Sequence, residues 1–129
     1  MASINTRLQI QSKNLFSNSL NQRVDKSYNV TSEVLKRTKN ITVTTSGTAE
    51  AILTVTEYGV DKNVFVFLRN RATASAKYIY VIIGSQQVMR LAPGQYTIFP
   101  WRTESGDDFK VYGNDSNGIA VEYLVGTMA

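Results

Sequence analysis

The chain has 129 residues, of which 43% are hydrophobic and 19% charged, and its net charge is +4. This length and composition are typical of one globular domain and exclude a wholly disordered chain. Cysteine and histidine are both absent, which excludes disulfide frameworks, thiolate or imidazole metal sites and catalysis by a cysteine nucleophile or a histidine base. We therefore expect neither a metal nor a cofactor.

Positive charge is concentrated near the N-terminus. Seven of the fourteen basic residues lie in the first 40 positions, with only two of the ten acidic residues. A short strand, in which Leu8 and Ile10 alternate with polar residues, precedes a long polar stretch. Two interpretations of that stretch are open, a solvated loop and an extended arm that becomes ordered against a partner. We adopt the arm, over residues 12–40, and expect the strand around Arg7–Gln11 to join one sheet of the domain that follows.

From position 40 onward the pattern predicts β-strands. Asn63–Asn70 and Lys77–Ile83 are apolar on both faces, so we expect them mid-sheet with other elements packed on either side. In the last strand, Ile119–Gly126, the odd-numbered side chains should point inward. Further strands are predicted at Ile41–Thr44, Ala49–Tyr58, Gln87–Leu91, Gln95–Pro100 and Asp108–Gly113.

Three glycine-containing turns separate these strands. Gly84-Ser85 and Asn117-Gly118 are typical of two-residue β-hairpins, and Pro93-Gly94 is typical of a type II turn that reverses the chain between the strands on either side. Turns spaced roughly 8–12 residues apart indicate two antiparallel sheets. The predicted fold is all-β, an antiparallel β-sandwich or jelly-roll-like domain over residues 41–129, with an N-terminal strand and extended polar basic arm over residues 1–40.

Acidic residues crowd the loop after Trp101, at Glu104, Asp107 and Asp108. A glycosidase needs two carboxylates flanking the sugar, and a calcium loop needs a regular aspartate spacing that is absent here, so solvated turn residues are the better interpretation. Trp101 itself either stacks on a sugar or lies half-buried as a lid over the sandwich. We predict no catalytic residue.

Aromatic residues in a basic β-protein suggest stacking on nucleic acid. The aromatic residues concerned are Phe65, Phe67, Tyr78 and Tyr80. They lie in the most apolar strands, where core packing is the default, whereas the basic residues lie in the first third of the chain. We therefore expect no specific nucleic-acid partner, and since no apolar run approaches the ~20 residues that span a bilayer, no membrane partner either.

Around Leu91–Trp101, which reads L-A-P-G-Q-Y-T-I-F-P-W, the sequence resembles small structural proteins of tailed bacteriophages. The shared pattern is a tyrosine-rich apolar strand, L-x-P-G-x-aromatic-x-x-x-P-W, a D-x-x-V strand and a final V-E-Y-L/M-V strand. These parts are Tyr78–Ile83, Leu91–Trp101, Asp108–Val111 and Val121–Val125. The resemblance covers most of residues 7–126.

The resemblance implies a non-catalytic virion protein, made in the host cytoplasm, that decorates the phage capsid. Such a capsid cement protein, often a trimer, binds the shell and stabilises contacts between subunits of the major capsid protein. A tail, neck or head-fibre component is the alternative within this class, and a carbohydrate-binding module using Trp101 is the alternative outside it. On charge grounds, the residues expected to contact the partner are Arg7, Lys13, Arg23, Lys26, Lys36, Arg37 and Lys39, joined by Trp101.

Overall fold

A computed structural model describes residues 2–12, 20–31 and 34–128, and within these ranges the chain forms ten β-strands and one short helix. The strands are β1 (Ala2–Ser12), β2 (Leu20–Val30), β3 (Leu35–Ile41), β4 (Glu50–Leu53), β5 (Asn63–Asn70), β6 (Ile79–Ile83), β7 (Gln86–Leu91), β8 (Tyr96–Arg102), β9 (Phe109–Gly113) and β10 (Ile119–Thr127). The helix α1 is Val55–Tyr58, and a single 3-10 turn occupies Ser46–Thr48.

Strands β3 to β10 form two four-stranded antiparallel sheets, which pack face to face as a sandwich. The first sheet has the order β3-β10-β5-β8 and the second the order β4-β9-β6-β7. Strands β1 and β2 pair with each other as a separate hairpin, which we call the arm. The predicted all-β antiparallel sandwich is thus confirmed, and β5 and β6 occupy central positions in their sheets as expected.

The sandwich strands pair in a nested order around one turn. Gly84-Ser85 joins β6 to β7, and outside this innermost pair β5 pairs with β8, β4 with β9, and β3 with β10. Pairings of β10 with β5 and of β9 with β6 complete the two sheets. The chain from β3 to β10 is therefore one long hairpin, folded over so that successive strand pairs fall alternately into the second and first sheets.

Of the three predicted turns, Gly84-Ser85 alone closes a hairpin, and Gly84 has the positive φ of 63° that its position requires. The turn predicted at Pro93-Gly94 forms, with a hydrogen bond of 3.0 Å from the N–H of Gln95 to the carbonyl of Ala92, but neither this turn nor Asn117-Gly118 joins two paired strands. Pro93-Gly94 and Asn117-Gly118 each carry the chain from one sheet to the other, from β7 to β8 and from β9 to β10. Their glycines do have positive φ. Local turn geometry does not determine whether the next strand stays in the same sheet, because that depends on which apolar face it must cover.

The core lies between the two sheets. All four predicted inward residues of β10, namely Ile119, Val121, Tyr123 and Val125, are buried. Trp101 of β8 and Phe109 of β9 meet edge to face across the sandwich, with ring centroids 6.1 Å apart. Burying one such apolar side chain contributes about 1.5–3 kcal/mol, so this layer dominates the stability of the fold.

The strand predicted for Ala49–Tyr58 ends at Leu53, and α1 follows it. Thr54 caps this helix, since its Oγ1 accepts a hydrogen bond of 3.2 Å from the backbone N–H of Glu57. The spacing Thr54-x-x-Glu57 is that of a capping box, a signal in the sequence that the strand prediction overlooked. Asp108 adds a second cap, because its carboxylate accepts from the backbone N–H of Val55 at 2.8 Å.

Strand β8 continues two residues beyond Pro100, where the sequence prediction ended it. Proline has no backbone N–H to donate, but β8 is the outermost strand of the first sheet and has a single neighbour, β5. An edge strand tolerates the missing donor. This edge of the sandwich is therefore a strand with one free side among the described residues.

The N-terminal strand forms, but it joins neither sheet of the sandwich. β1 pairs over its whole length with β2, from Ala2 opposite Val30 to Ser12 opposite Leu20. The segment expected to be an extended arm thus contains β2 and, from Leu35 onward, the outermost strand β3 of the first sheet. β2 was missed because its sequence has few apolar residues, and its order comes from pairing with a strand distant in sequence.

The arm is attached to the sandwich at its base by backbone pairing. Val30 bridges Met128 just beyond β10, and the N–H of Thr31 donates to the carbonyl of Thr127 at 2.8 Å. The Val30 side chain is fully buried. The arm therefore extends from the end of the sandwich at which β10 finishes.

Side chains reinforce this attachment on the outer face of the first sheet. The ring of Tyr28 packs against Phe65 of β5, with centroids 5.3 Å apart. A Cβ atom on Gly126 would lie 3.3 Å from a methyl of Val30 and 3.5 Å from the end of Ile4. The missing side chain at Gly126 is what lets the base of the arm approach the sheet.

Asn70 is fully buried at the opposite end of the sandwich, where it joins three segments. Its Nδ2 donates to the carbonyls of Lys77 and Leu91 at 2.9 and 3.0 Å, and its Oδ1 accepts from the N–H of Ala72 at 2.9 Å. Every polar atom of this amide is therefore satisfied inside the protein.

The substitution Asn70→Ala should lower the free energy of unfolding by about 3 kcal/mol, because it leaves two carbonyls and one N–H without partners in a buried site. Urea unfolding followed by circular dichroism measures this loss. Asn63→Ala, at the exposed start of the same strand, is the matched control and should change stability by less than about 0.5 kcal/mol. Equal effects of the two substitutions would contradict the assignment.

Candidate functional site

The arm has two faces of opposite character. Because side chains alternate along a strand, the even-numbered residues of β1 and their partners in β2 share one face. At the base this face contacts the sandwich through Ile4 and Tyr28, as described above. Farther out it presents three apolar side chains that are 45–55% exposed. We call these three the apolar stripe: Leu8, Ile10 and Val24.

The opposite face of the arm is polar and carries an ion cluster. The carboxylate of Asp25 lies 2.9 Å from Arg7 of the facing strand and 2.7 Å from Arg23 of its own strand. Hydrogen bonds from Arg23 and then from Arg7 hold the pKa of Asp25 below its ordinary value of 3.8. This cluster links the two strands of the arm and brings together two of the predicted partner-contact residues.

Lys26, the third predicted contact residue on the arm, lies on the face of the apolar stripe, with Nζ 6.0 Å from the ring centroid of Tyr28. The described part of the arm thus carries three cationic side chains against one carboxylate. Lys13 lies outside the described residues. The cationic character expected of the leading segment is present on the described part of the arm.

The other predicted cations, on β3, do not form a common surface with the arm. Each is paired with a carboxylate of the sandwich: Lys36 with Glu122 at 3.7 Å, Arg37 with Glu57 at 3.5 Å, and Lys39 with Glu50 at 2.7 Å. Glu50 and Glu57 belong to β4 and α1, so the last two pairs span the gap between the two sheets at their edge. The three cations of β3, which cluster in the sequence, are therefore each paired with a carboxylate that is distant in the sequence.

Arg37 has a second partner in the core. A hydrogen bond with Tyr123 raises the pKa of Arg37 above its already high ordinary value, and the nearby Glu57 adds to this shift. Burial raises the pKa of the neighbouring Tyr58 hydroxyl, again with a contribution from Glu57. Arg37 therefore links β3 to Glu57 of α1 and to Tyr123 of β10.

Trp101 is buried, with 1% of its surface exposed, and its Nε1 donates to the backbone carbonyl of Asp107 at 3.1 Å. Tyr58 packs against one edge of its ring, with centroids 6.0 Å apart. A side chain in this position offers no face to a sugar or to a protein partner. Trp101 is therefore a core residue, more deeply buried than the half-exposed lid considered from the sequence.

The acidic residues near Trp101 serve the fold. Asp108 caps α1, Glu104 lies 3.8 Å from Arg102, and Asp115 of the following turn accepts from Lys77 at 2.8 Å. The ammonium of Lys77 is the main reason why the pKa of Asp115 is lowered. Within the described ranges, no three acidic residues come together in a way that could hold a metal ion.

Aromatic and basic side chains meet on the outer face of the second sheet, which the sequence interpretation did not anticipate. Tyr80 and Tyr112 stack with centroids 4.7 Å apart, and the guanidinium of Arg90 lies 4.7 Å from the ring centroid of Tyr78. Tyr80 of β6 and Tyr78, which directly precedes this strand, were expected in the core. Each of the three tyrosine rings and the guanidinium stacks one face against its neighbour. These side chains therefore do not form a row of free stacking platforms.

A second exposed apolar surface, besides the apolar stripe, lies on the outer face of the first sheet. Tyr96 and Ile98 of edge strand β8 are 54% and 40% exposed, and the half-buried Phe67 of β5 lies between them and the strand β10. Phe67 and Tyr96 are in ring contact at 5.9 Å. We call Phe67, Tyr96 and Ile98 the outer-sheet patch. The expectation that β5 has other elements packed on both faces holds only at Phe65, beneath the base of the arm.

The ion cluster on the arm should make its order depend on pH. Because the folded-state pKa of Asp25 is depressed, the stabilisation is complete above the ordinary value of 3.8 and is lost as the pH falls through the lower folded-state value. Amide hydrogen exchange, corrected for its intrinsic pH dependence, should show loss of protection in β1 and β2 in that range while β5 and β10 stay protected. Asp25→Asn, which cannot ionise, should remove the pH dependence of the arm; if it persists, Asp25 is not its source.

The burial of Trp101, the only tryptophan, is open to a direct optical test. Its fluorescence should be resistant to acrylamide and should not respond to added sugars. Trp101→Ala should lower the free energy of unfolding by about 3–5 kcal/mol. A quenchable tryptophan whose emission changes with a sugar would contradict the assignment of this residue to the core.

Comparisons of the chain with protein-family models, with curated proteins and with solved structures find no match. In the part of the chain that the structure describes, no helix has the length and apolar character needed to cross a membrane. What bears on function is therefore the surface itself: an arm with an exposed apolar stripe and positive charge, attached to a sandwich with an exposed outer-sheet patch.

Proposed function

We propose that the chain is a non-catalytic structural protein of a bacteriophage particle, a capsid cement protein that binds the shell and clamps neighbouring subunits of the major capsid protein. The observation that carries this proposal is the arm, a long hairpin that projects from a well-packed sandwich with its apolar stripe 45–55% exposed. An isolated two-stranded hairpin is marginally stable in water, so its apolar face favours an assembly in which another surface covers it.

The architecture of the sandwich supports the same proposal. Eight strands in two sheets, with the nested pairing described above, fit an eight-stranded jelly roll made from a folded-over hairpin. Viral capsid domains use jelly rolls, and so do lectins and enzymes, so the fold is compatible with a virion role without requiring it. The resemblance around Leu91–Trp101 is what directs the proposal to phage particles.

Energetics explain how so small a protein reinforces a shell. Covering the remaining exposed area of one stripe side chain gains on the order of 1 kcal/mol. A closed symmetric assembly repeats that gain at every copy, so weak contacts add up around the particle. The three cations of the described arm, Arg7, Arg23 and Lys26, favour an acidic partner surface and accelerate the encounter.

A place in the tail, the neck or a head fibre of the same particle is the alternative within this class. Outside the class, the carbohydrate-binding alternative has lost the residue on which it depended, since Trp101 is buried. We propose a virion location on the capsid surface, with trimers of the chain as the attached unit.

Copy number separates these placements. In particles purified from the source virus, quantitative mass spectrometry should find the chain on the order of hundreds of copies if it decorates the capsid, as the symmetry of a shell demands. A few dozen copies or fewer would place it in the tail, neck or fibres. Its absence from purified particles would contradict the virion proposal altogether.

Deleting residues 1–27 tests the role of the arm. This truncation keeps Tyr28 and Val30, which contact the sandwich, and it keeps β3, whose loss would remove an outer strand of the first sheet. The truncated chain should unfold cooperatively and fail to bind particles stripped of this protein, whereas a control variant in the distant β6–β7 turn, Ser85→Ala, should bind normally. Binding by the truncated chain would show that the arm is not the contact.

A further inference from the structure

We propose that the apolar stripe of one copy packs against the outer-sheet patch of a second copy, so that the chain assembles through exchange of contacts between arm and sheet. The partner is another molecule of this same protein. This deepens the proposed assembly function and rests on it for the role of the assembly, but the contact itself is a property of the purified chain.

The contact already present inside one molecule shows that these two faces fit. Tyr28, on the stripe face of the arm, packs against Phe65 on the outer face of the first sheet. Ile4, from the same arm face, reaches the space that Gly126 leaves open on that sheet. The base of the arm thus docks through an apolar contact between the stripe face of the arm and the outer face of the first sheet. In the proposed assembly, the same two faces meet between two molecules.

Both faces continue beyond the point where this internal contact ends. On the sheet, Phe65 lies opposite Pro100, and the next pair on the same face is Phe67 opposite Ile98. On the arm, the stripe continues with Val24 opposite Leu8. Since Leu8, Val24 and Ile98 are 45%, 55% and 40% exposed, the two continuations do not cover each other within one molecule.

Strand geometry explains why the same molecule leaves them apart. Val24 lies four residues from Tyr28 along β2, which places it about 13 Å farther out along an extended strand. The arm leaves the sandwich at the end of β10, where Val30 bridges Met128. The stripe therefore projects past the end of its own first sheet, where a neighbouring molecule can receive it.

Charge contributes little to this arrangement. The described arm has three cations against the single carboxylate of Asp25. At the far end of β8, four residues from Ile98, the exposed carboxylates of Asp61 and Glu104 lie 3.3 and 3.8 Å from Arg102. The exposed Lys62 adjoins Asp61, so two cations balance two carboxylates at this end of β8, and the proposed contact rests on its apolar side chains.

The contact joins two different surfaces, so it is heterologous. Such contacts close into rings when the rotation between copies allows it, which accounts for a trimer without a separate interface. It also predicts a specific behaviour of mixtures, because a molecule damaged in its arm still has an intact patch.

Sedimentation equilibrium of the purified chain tests the proposal. The wild type should associate, and Leu8→Glu should weaken the association by about 100-fold, as expected when a charge enters a central apolar contact. Gln11→Glu adds the same charge to the opposite face of the same strand and should associate like the wild type. Ile98→Glu, on the patch of the sandwich, should weaken association as strongly as Leu8→Glu without touching the arm.

A mixture of the two defective variants provides the decisive measurement. Leu8→Glu supplies an intact patch and Ile98→Glu an intact arm, so together they should form a one-to-one dimer that neither forms alone. Failure of the mixture to associate would overturn the arm-to-sheet contact, as would a wild-type chain that stays monomeric up to about 100 µM. A monomeric wild type that still binds particles through Leu8 would leave the proposed function in place and identify the shell as the occupant of the stripe.

Discussion

The need to cover apolar sheet faces governs this molecule. The two inner faces cover each other, and the Trp101–Phe109 contact lies in the layer between them. The central strand β5 is apolar on its outer face as well, and there only Phe65 is covered, by the base of the arm. An antiparallel sheet tolerates one solvated face when that face is polar. Phe67 and Ile98 on the outer face of the sheet, and the apolar stripe on the arm, stay uncovered and are the surfaces on which a partner can bind.

Electrostatics divide the structure in the same way. The cations of β3 form pairs with Glu50, Glu57 and Glu122. The pairs with Glu50 and Glu57 join β3 to β4 and α1 across the edge of the sandwich, whereas the pair with Glu122 lies within the first sheet. The cations of the arm are opposed only by Asp25 among the described residues. Exposed pairs of this kind contribute little to stability, on the order of 0–1 kcal/mol each, so their main effect is on orientation. The described arm therefore combines three cations and one carboxylate with the apolar stripe on a single hairpin.

Local sequence patterns predicted the sandwich well where the residues of a single strand or turn were sufficient to identify it. The bounds of β5 follow from a continuous apolar run of strand length, and the inward residues of β10 follow from alternation. The hairpin at Gly84-Ser85 follows from a glycine at a position that requires positive φ. The helix α1 was missed although its capping-box spacing from Thr54 to Glu57 is present in the sequence. The strand β2 was missed because its few apolar residues make sense only opposite β1.

The sequence by itself determined the all-β class, the central strands, the absence of thiol and imidazole chemistry, and the positive charge of the leading segment, because these depend on composition and on the spacing of neighbouring residues. Only the tertiary structure decided that Trp101 is buried, that the turns at Gly94 and Gly118 cross between sheets, and that the cations of β3 are paired while the arm keeps its excess. Each of these depends on which distant segment lies opposite a residue. That choice is made by covering apolar faces over the whole chain, and no short stretch of sequence contains it.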